Sequence, residues 1–170
     1  MINDLVKKND PQNQFEVLKN SFTQIEYAWG NEVLLSEELK RNVNNIIISG
    51  LGGSAISGDL VQNFLRIDLK LPLFTNRGYS LPNFAGANTL VLVSSYSGNT
   101  EETIEVLKDA LNRKCKIICL TTGGKVKNIA EENDLPVIKL KEGFQPRYAL
   151  GVSFFTMLRV FNELKFIPSQ

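Results

Sequence analysis

Ile46-Ile47-Ile48-Ser49-Gly50-Leu51-Gly52-Gly53-Ser54-Ala55-Ile56-Ser57-Gly58 and Leu90-Val91-Leu92-Val93-Ser94-Ser95-Tyr96-Ser97-Gly98-Asn99-Thr100 follow one plan: an apolar run, then a loop of Gly, Ser and Thr, then the start of a helix-spaced amphipathic stretch. Short runs of Ile, Leu and Val without polar alternation read as strands buried on both faces, the condition of a parallel sheet. A small-residue loop between such a strand and a helix sits at the carboxyl edge of the sheet. There the helix offers unpaired N–H groups and the positive end of its dipole. Small hydroxylated side chains can hydrogen-bond an anion at that place without filling its space. Two such loops on one edge predict a single pocket for a phosphorylated small molecule.

Outward from these stretches the chain keeps alternating. Leu71 to Asn76, Lys116 to Thr121 and Pro136 to Leu140 read as further strands, and Pro72 assigns the first of them to a sheet edge. Helices are expected over Ser54 to Arg66, Thr100 to Arg113, Val126 to Glu132 and Tyr148 to Leu164, with Ile56, Leu60, Phe64 and Ile67 sharing one face of the first. Five strands alternating with helices give an α/β fold, a five-stranded parallel sheet with helices on both faces. Upstream, Asp10-Pro11 is a helix-start signal, with Asp as N-cap and Pro at the first helical position. Phe15, Leu18, Phe22, Ile25 and Trp29 then recur at helical spacing until Gly30-Asn31, and a short helix is expected near Ser36 to Arg41. Residues 1–44 are thus a helical leader packed on a single domain of residues 45–170.

Composition removes several function classes. With 170 residues, 43% of them hydrophobic, the chain can bury a full core, and 19 Lys and Arg against 18 Asp and Glu leave no global field to steer a nucleic acid. Cys115 and Cys119 lack metal-site spacing and read as small core residues in a reducing compartment, not as a disulfide. Without a histidine the chain cannot assemble a Ser-His-Asp triad, and it lacks the commonest metal ligand and general base. No metal and no cofactor are expected. The N-terminus has no basic-then-apolar order and no apolar stretch approaches ~20 residues, so neither a membrane nor export is expected, and the cytoplasm is.

The chemistry concentrates in the loops. Ser95, Ser97 and Thr100 place three hydroxyls within six residues, with Gly98 free to take a conformation closed to other residues. A capped helix start, with Thr100 as N-cap and Thr103 following, explains one hydroxyl but not three. Gly50, Gly52 and Ala55 also fit a relaxed dinucleotide fingerprint, with Arg77 as partner of a 2′-phosphate, which would make this an NADP-binding domain. That reading leaves the second loop without a role. Thr121-Thr122-Gly123-Gly124-Lys125 resembles a phosphate-binding P-loop only superficially, because Val126 stands where Ser or Thr is required; it reads as a turn lining the same edge. Arg147, after the fifth strand, is a fixed cation on the ligand side unless a surface ion pair takes it.

These residues resemble the sugar isomerase (SIS) domain, and more closely the N-terminal half of the bifunctional phosphoglucose/phosphomannose isomerases. The motifs that carry the resemblance are Gly50-Leu51-Gly52-Gly53-Ser54 with Gly58-Asp59, Ser95 through Thr103, Thr122-Gly123-Gly124-Lys125, and Pro146-Arg147-Tyr148-Ala149-Leu150-Gly151, in the family's order over most of the chain. The resemblance implies a flavodoxin-like three-layer sandwich. It makes Ser54, Ser95, Ser97 and Thr100 the ligands of the sugar phosphate, with Gly52, Gly53 and Gly98 shaping the loop backbones. Arg147 would lie near C1 and C2 of the opened sugar and stabilise the enediolate formed as glucose 6-phosphate or mannose 6-phosphate interconverts with fructose 6-phosphate. The base, a Glu, and a ring-opening His are expected from a second SIS domain or a neighbouring subunit. This chain then reads as the first of two such domains, inactive by itself, and as a dimer or a partner of that second domain. A non-catalytic module that senses a sugar phosphate is the alternative.

Overall fold

Five parallel strands, β1 (Asn45–Ser49), β2 (Leu73–Asn76), β3 (Thr89–Ser95), β4 (Lys116–Thr121) and β5 (Val137–Lys139), form one sheet in the order β2-β1-β3-β4-β5. The computed structural model describes residues 2–168, so the readings at Met1, Ser169 and Gln170 lie outside the described residues. The chain starts near the middle of the sheet and goes one way, through α4 (Gly53–Phe64), to the edge strand β2. It then returns past β1 to β3 and goes the other way through α5 (Glu101–Asn112) and α6 (Gly124–Glu132). The crossovers leaving β1 and β3 diverge, so the ends of these paired neighbours open a crevice at the sheet's carboxyl edge. Pro72 precedes the edge strand β2, where its carbonyl accepts from the Ile46 N–H at 2.9 Å and its missing N–H costs no ladder bond.

Alternation along the buried strands divides the core in two. Ile46, Ile48, Leu90, Leu92, Ile118 and Leu120 pack with Val61, Leu65, Val152 and Phe161 on the side of α4 and α7 (Leu150–Glu163). Ile47, Val91, Val93, Ile117 and Cys119 pack with Val106, Leu107 and Ala110 on the side of α5 and α6. Each fully buried Ile or Leu contributes about 1.5–3 kcal/mol of transfer free energy. Gly58 brings α4 close to the sheet, since a Cβ there would lie 2.9 Å from Ile48 Cγ2. Burial pushes the Cys119 thiol up to about 12, so it stays neutral, while Cys115 lies just before β4 and is half-buried.

Several local expectations are corrected. The leader is three helices, α1 (Ile2–Asn9), α2 (Gln14–Lys19) and α3 (Thr23–Gly30), instead of one. Asp10 does cap a helix, but from farther back: its carboxylate accepts from the N–H groups of Gln14 and Phe15 at 2.8 and 2.7 Å, and Pro11 sits in the intervening turn. The helix expected near Ser36 is a single 3-10 turn, Glu37–Leu39. The apolar face of α4 points outward, with Ile56 50% and Phe64 54% exposed, because the small side of the helix, Ala55, Gly58 and Val61, is the one that fits against the sheet. Phe15, Leu18, Phe22 and Ile25 are likewise exposed, whereas Trp29 packs against the core. Helix α7 starts two residues later than expected, at Leu150.

Candidate functional site

The loop after β1 is fixed by main-chain proximity. A Cβ on Gly50 would lie 2.9 Å from the Ser94 carbonyl oxygen and 3.0 Å from Ser54 Cβ, so any larger residue would push the first loop off the end of β3. Gly52, at φ +54°, makes the turn into α4, and Ser54 follows in its first turn, largely buried. In the second loop the Ser95 hydroxyl is buried: it accepts from the Gly98 N–H at 3.1 Å and donates to Thr100 Oγ1 at 3.0 Å. Thr100 occupies the N-cap position of α5, but its side chain turns to Ser95 and leaves the helix start without a side-chain cap. Ser97 is exposed, and its hydroxyl accepts from the Asn99 N–H at 3.2 Å. Helices α4, α5 and α6 all begin at this edge; α6 spends first-turn N–H groups on the second loop, whereas α4 and α5 start without a side-chain cap, so their N-terminal N–H groups and dipoles suit an anion.

The third loop, Thr121–Lys125, is the floor on which the second rests. Val126 N–H donates to the Gly98 carbonyl at 2.9 Å, Thr122 donates to the Tyr96 carbonyl through both its N–H and its hydroxyl, and Lys125 N–H donates to Asn99 Oδ1 at 3.1 Å. This confirms a turn on the same edge.

Arg147 arrives from the far side of the sheet. Strand β5 is three positions from β1, yet residues 141–149 lead from it back along the edge. Tyr96 holds the start of that segment: its hydroxyl donates to the Lys141 carbonyl at 2.9 Å and accepts from the Phe144 N–H at 3.0 Å. Burial raises the Tyr96 phenol above its usual range, so it remains a donor. Farther on, Pro146 reaches the first loop, where a Cβ on Gly53 would stand 3.1 Å from its carbonyl oxygen, and the Ser57 hydroxyl lies 3.3 Å from the Leu150 carbonyl. The main chain just before Arg147 is therefore brought beside the β1 loop, and Arg147 itself lines a cavity with Phe22, Gln24 and Ile25 of the leader. It is exposed and, among the described residues, has no carboxylate within ion-pair distance. Arg77, by contrast, pairs with Asp59 of α4, which engages the residue a dinucleotide would need. Glu102, together with Glu101, sits near Tyr79, whose phenol is raised first by the Glu102 charge and then by burial.

Two residues that sequence reasoning passed over shape this site: Tyr96, which holds the start of the Arg147 segment, and Gln24, which bonds that segment from the leader. Among the described residues no cluster of His, Cys, Asp and Glu could hold a metal ion, and no helix is long and apolar enough to cross a membrane.

No family model matches the chain. Among solved structures, its fold is similar to Vibrio vulnificus NanR complexed with ManNAc-6P (TM-score 0.63, 16% identity, 95% of this chain and 66% of that one). It is also similar to the C-terminal domain of glucosamine-fructose-6-phosphate aminotransferase from Francisella tularensis (TM-score 0.62, 14% identity, 94% and 50% coverage). The sheet order and these neighbours define the fold class, a five-stranded parallel α/β sheet of SIS type. In sequence it is 44% identical to the bifunctional phosphoglucose/phosphomannose isomerase of Caldicellulosiruptor bescii, over 154 residues that make up 90% of this chain and 45% of the relative. The same enzyme of Aquifex aeolicus is 38% identical over 70% of this chain and 37% of its own, and D-glucosamine-6-phosphate 4-epimerase of Sulfolobus acidocaldarius is 35% identical over 72% and 39%. The chain belongs to the bifunctional phosphoglucose/phosphomannose isomerase family and spans less than half the length of these relatives.

Proposed function

We propose that this chain is the phosphosugar-binding SIS unit of an aldose-ketose isomerase that interconverts glucose 6-phosphate or mannose 6-phosphate with fructose 6-phosphate. The observation that carries the reading is the meeting of the Ser54 loop, the Ser95–Thr100 loop and the Arg147 segment at the β1–β3 crevice. The phosphate is held by the hydroxyls of Ser54, Ser97 and Thr100 and by the uncapped N–H groups of α4 and α5. Ser95 acts in the same pocket by fixing Gly98 and Thr100. Gly52, Gly53 and Gly98 shape the loops around it. The unpaired guanidinium of Arg147 stabilises the enediolate charge at C1 and C2 without giving up its own proton.

The proton shuttle comes from outside these residues. The chain has no histidine, Asp59 is paired with Arg77, and Glu102 faces Tyr79. A second SIS-type unit supplies the Glu and His, and it covers the outward apolar face of α4 and the leader, where Ile56, Leu60, Phe64 and Phe22 stand exposed. The leader 1–44 and the domain 45–170 together form the first of two such units. Sugar phosphates and the two unpaired thiols, Cys115 and Cys119, fit a reducing cytoplasm. The missing histidine is also what favours the second reading, a binding module without turnover.

Titration calorimetry tests the pocket directly. Fructose 6-phosphate binds this chain and fructose binds far more weakly; equal affinities would overturn the reading.

A further inference from the structure

Gln24 is a buried polar residue of α3, only 3% exposed, on the helix face that also buries Ala28. Its side-chain amide donates from Nε2 to the Tyr148 carbonyl at 2.8 Å, and its Oε1 accepts from the Val152 N–H at 2.8 Å. Tyr148 and Val152 are four residues apart, so these are the two groups that would bond each other if the helix ran on without interruption. The Gln24 amide takes both. It replaces the first bond of the helix with a pair of bonds to another element, and α7 accordingly begins at Leu150; with that bond made, Tyr148 would be the N-cap and Ala149 the first helical residue. The fit leaves no slack: a Cβ on Gly151 would lie 2.6 Å from Gln24 Oε1.

We infer that Gln24 is a positioning residue for Arg147, fixing where α7 starts and so where the guanidinium stands. This deepens the proposed function and rests on its assignment of Arg147 to the enediolate. The segment is held at its start by Tyr96 and along its length by the Gly53 contact. Its other end is held by Gln24, with the Ser57 hydroxyl donating to the Leu150 carbonyl just beyond at 3.3 Å. Without the amide, Tyr148 and Val152 are free to bond each other, α7 grows back by a residue toward Arg147, and the main chain that carries the guanidinium shifts relative to the β1 loop while the Ser95–Thr100 loop, which Gln24 does not touch, stays in place.

The test separates the cation from the phosphate loops. Affinities are measured for inorganic phosphate, fructose 6-phosphate and a five-carbon aldonate 5-phosphate, whose carboxylate carries the charge an enediolate develops. Gln24→Met, which keeps the bulk and removes both bonds, is expected to weaken the aldonate phosphate about tenfold, as loss of one charge-assisted contact would, and to leave inorganic phosphate within about twofold. Gln24→Glu provides the control that a merely structural role would not move. Protonated, the carboxyl can donate to Tyr148 and accept from Val152 as the amide does; ionised, it cannot donate. Its aldonate affinity, taken relative to wild type at each pH, is near unity at low pH and falls as pH rises. If Arg147→Ala weakens the aldonate selectively but Gln24→Met and Gln24→Glu match wild type at every pH, the inference is overturned. If Arg147→Ala itself changes nothing, the assignment of Arg147 fails instead.

Discussion

Gly98→Ala is the most severe single methyl group this site can receive. Gly98 has φ +69°, where an L-residue costs about 1–2 kcal/mol. The larger effect is contact: the new Cβ would stand 1.7 Å from the Gly123 carbonyl oxygen, 2.6 Å from its carbon and 2.8 Å from Thr121 Oγ1. To reach ordinary contact near 3.4 Å the second and third loops must separate by roughly 1.7 Å. That movement breaks the 2.9 Å bond from Val126 N–H to the Gly98 carbonyl, worth about 1 kcal/mol. Together with overpacking at about 1–3 kcal/mol, the loss sums to about 3–6 kcal/mol. Gly123→Ala is the matched control. Its φ of 165° is ordinary extended backbone, and no atom lies within 4 Å of its ideal Cβ. Urea denaturation of both variants, with fructose 6-phosphate titrations on whatever remains folded, reads the result. Gly98→Ala is expected to lose most of its stability and binding, and Gly123→Ala little of either. Equal stabilities for the two would refute the reasoning that this loop contact is tight.

Ser97→Ala and Thr100→Ala each remove a hydroxyl from a charged acceptor, worth about 1.5–3 kcal/mol, so calorimetry on each should show about tenfold weaker phosphosugar binding or worse. The isolated chain should show no isomerase turnover in a coupled assay; once a second SIS unit restores it, Arg147→Ala lowers kcat more than it raises KM, because its charge acts on the enediolate. Asp109 is a stability prediction. Burial opposes its ionisation, but the Leu81 N–H and Arg113 outweigh it and hold the carboxyl below its ordinary value. A lowered folded value means stability present above the unfolded value, about pH 4, and lost as pH falls through the folded one, so Asp109→Asn should flatten the acid limb of a stability-against-pH curve. Sedimentation velocity should show the chain associating through its exposed apolar face, and Leu60→Glu should abolish this; a monomer at high concentration argues against a second unit on that face.

The strands and the two Gly- and Ser-rich loops were legible because their signals are local. An apolar run followed by Gly and Ser needs no distant residue to be recognised, and β4 falls on the expected Lys116 to Thr121. What failed depended on direction or on distance. Helical spacing places Ile56, Leu60 and Phe64 on one face of α4, but spacing does not say whether that face meets the sheet; the small residues Ala55 and Gly58 decided it, because only they allow the approach to Ile48. The start of α7 was misplaced for a different reason. Nothing near Tyr148 announces that its carbonyl bonds a glutamine 124 residues earlier in the chain. Asp10 lies between these cases: its residue type predicted a cap, and the intervening turn moved the helix it caps.

The glycines of the site have a second role that the phosphate reading alone does not supply. Ideal Cβ atoms on Gly50, Gly53, Gly98 and Gly124 would each lie 3.1 Å or less from a carbonyl oxygen of a different loop: Ser94, Pro146, Gly123 and Ser97. These glycines are therefore the joints between loops that come from four strands. Because each loop is seated on its neighbour's main chain, a methyl group at one joint is passed on as a displacement of the next, and little side-chain bulk is available to absorb it. The same contacts leave the hydroxyls at the rim and the helix N–H groups unobstructed. A loop rich in Gly and Ser here is thus selected twice by physics, once for room around an anion and once for contact between backbones. The second demand explains why the glycines are found at loop crossings as well as at the turn into α4.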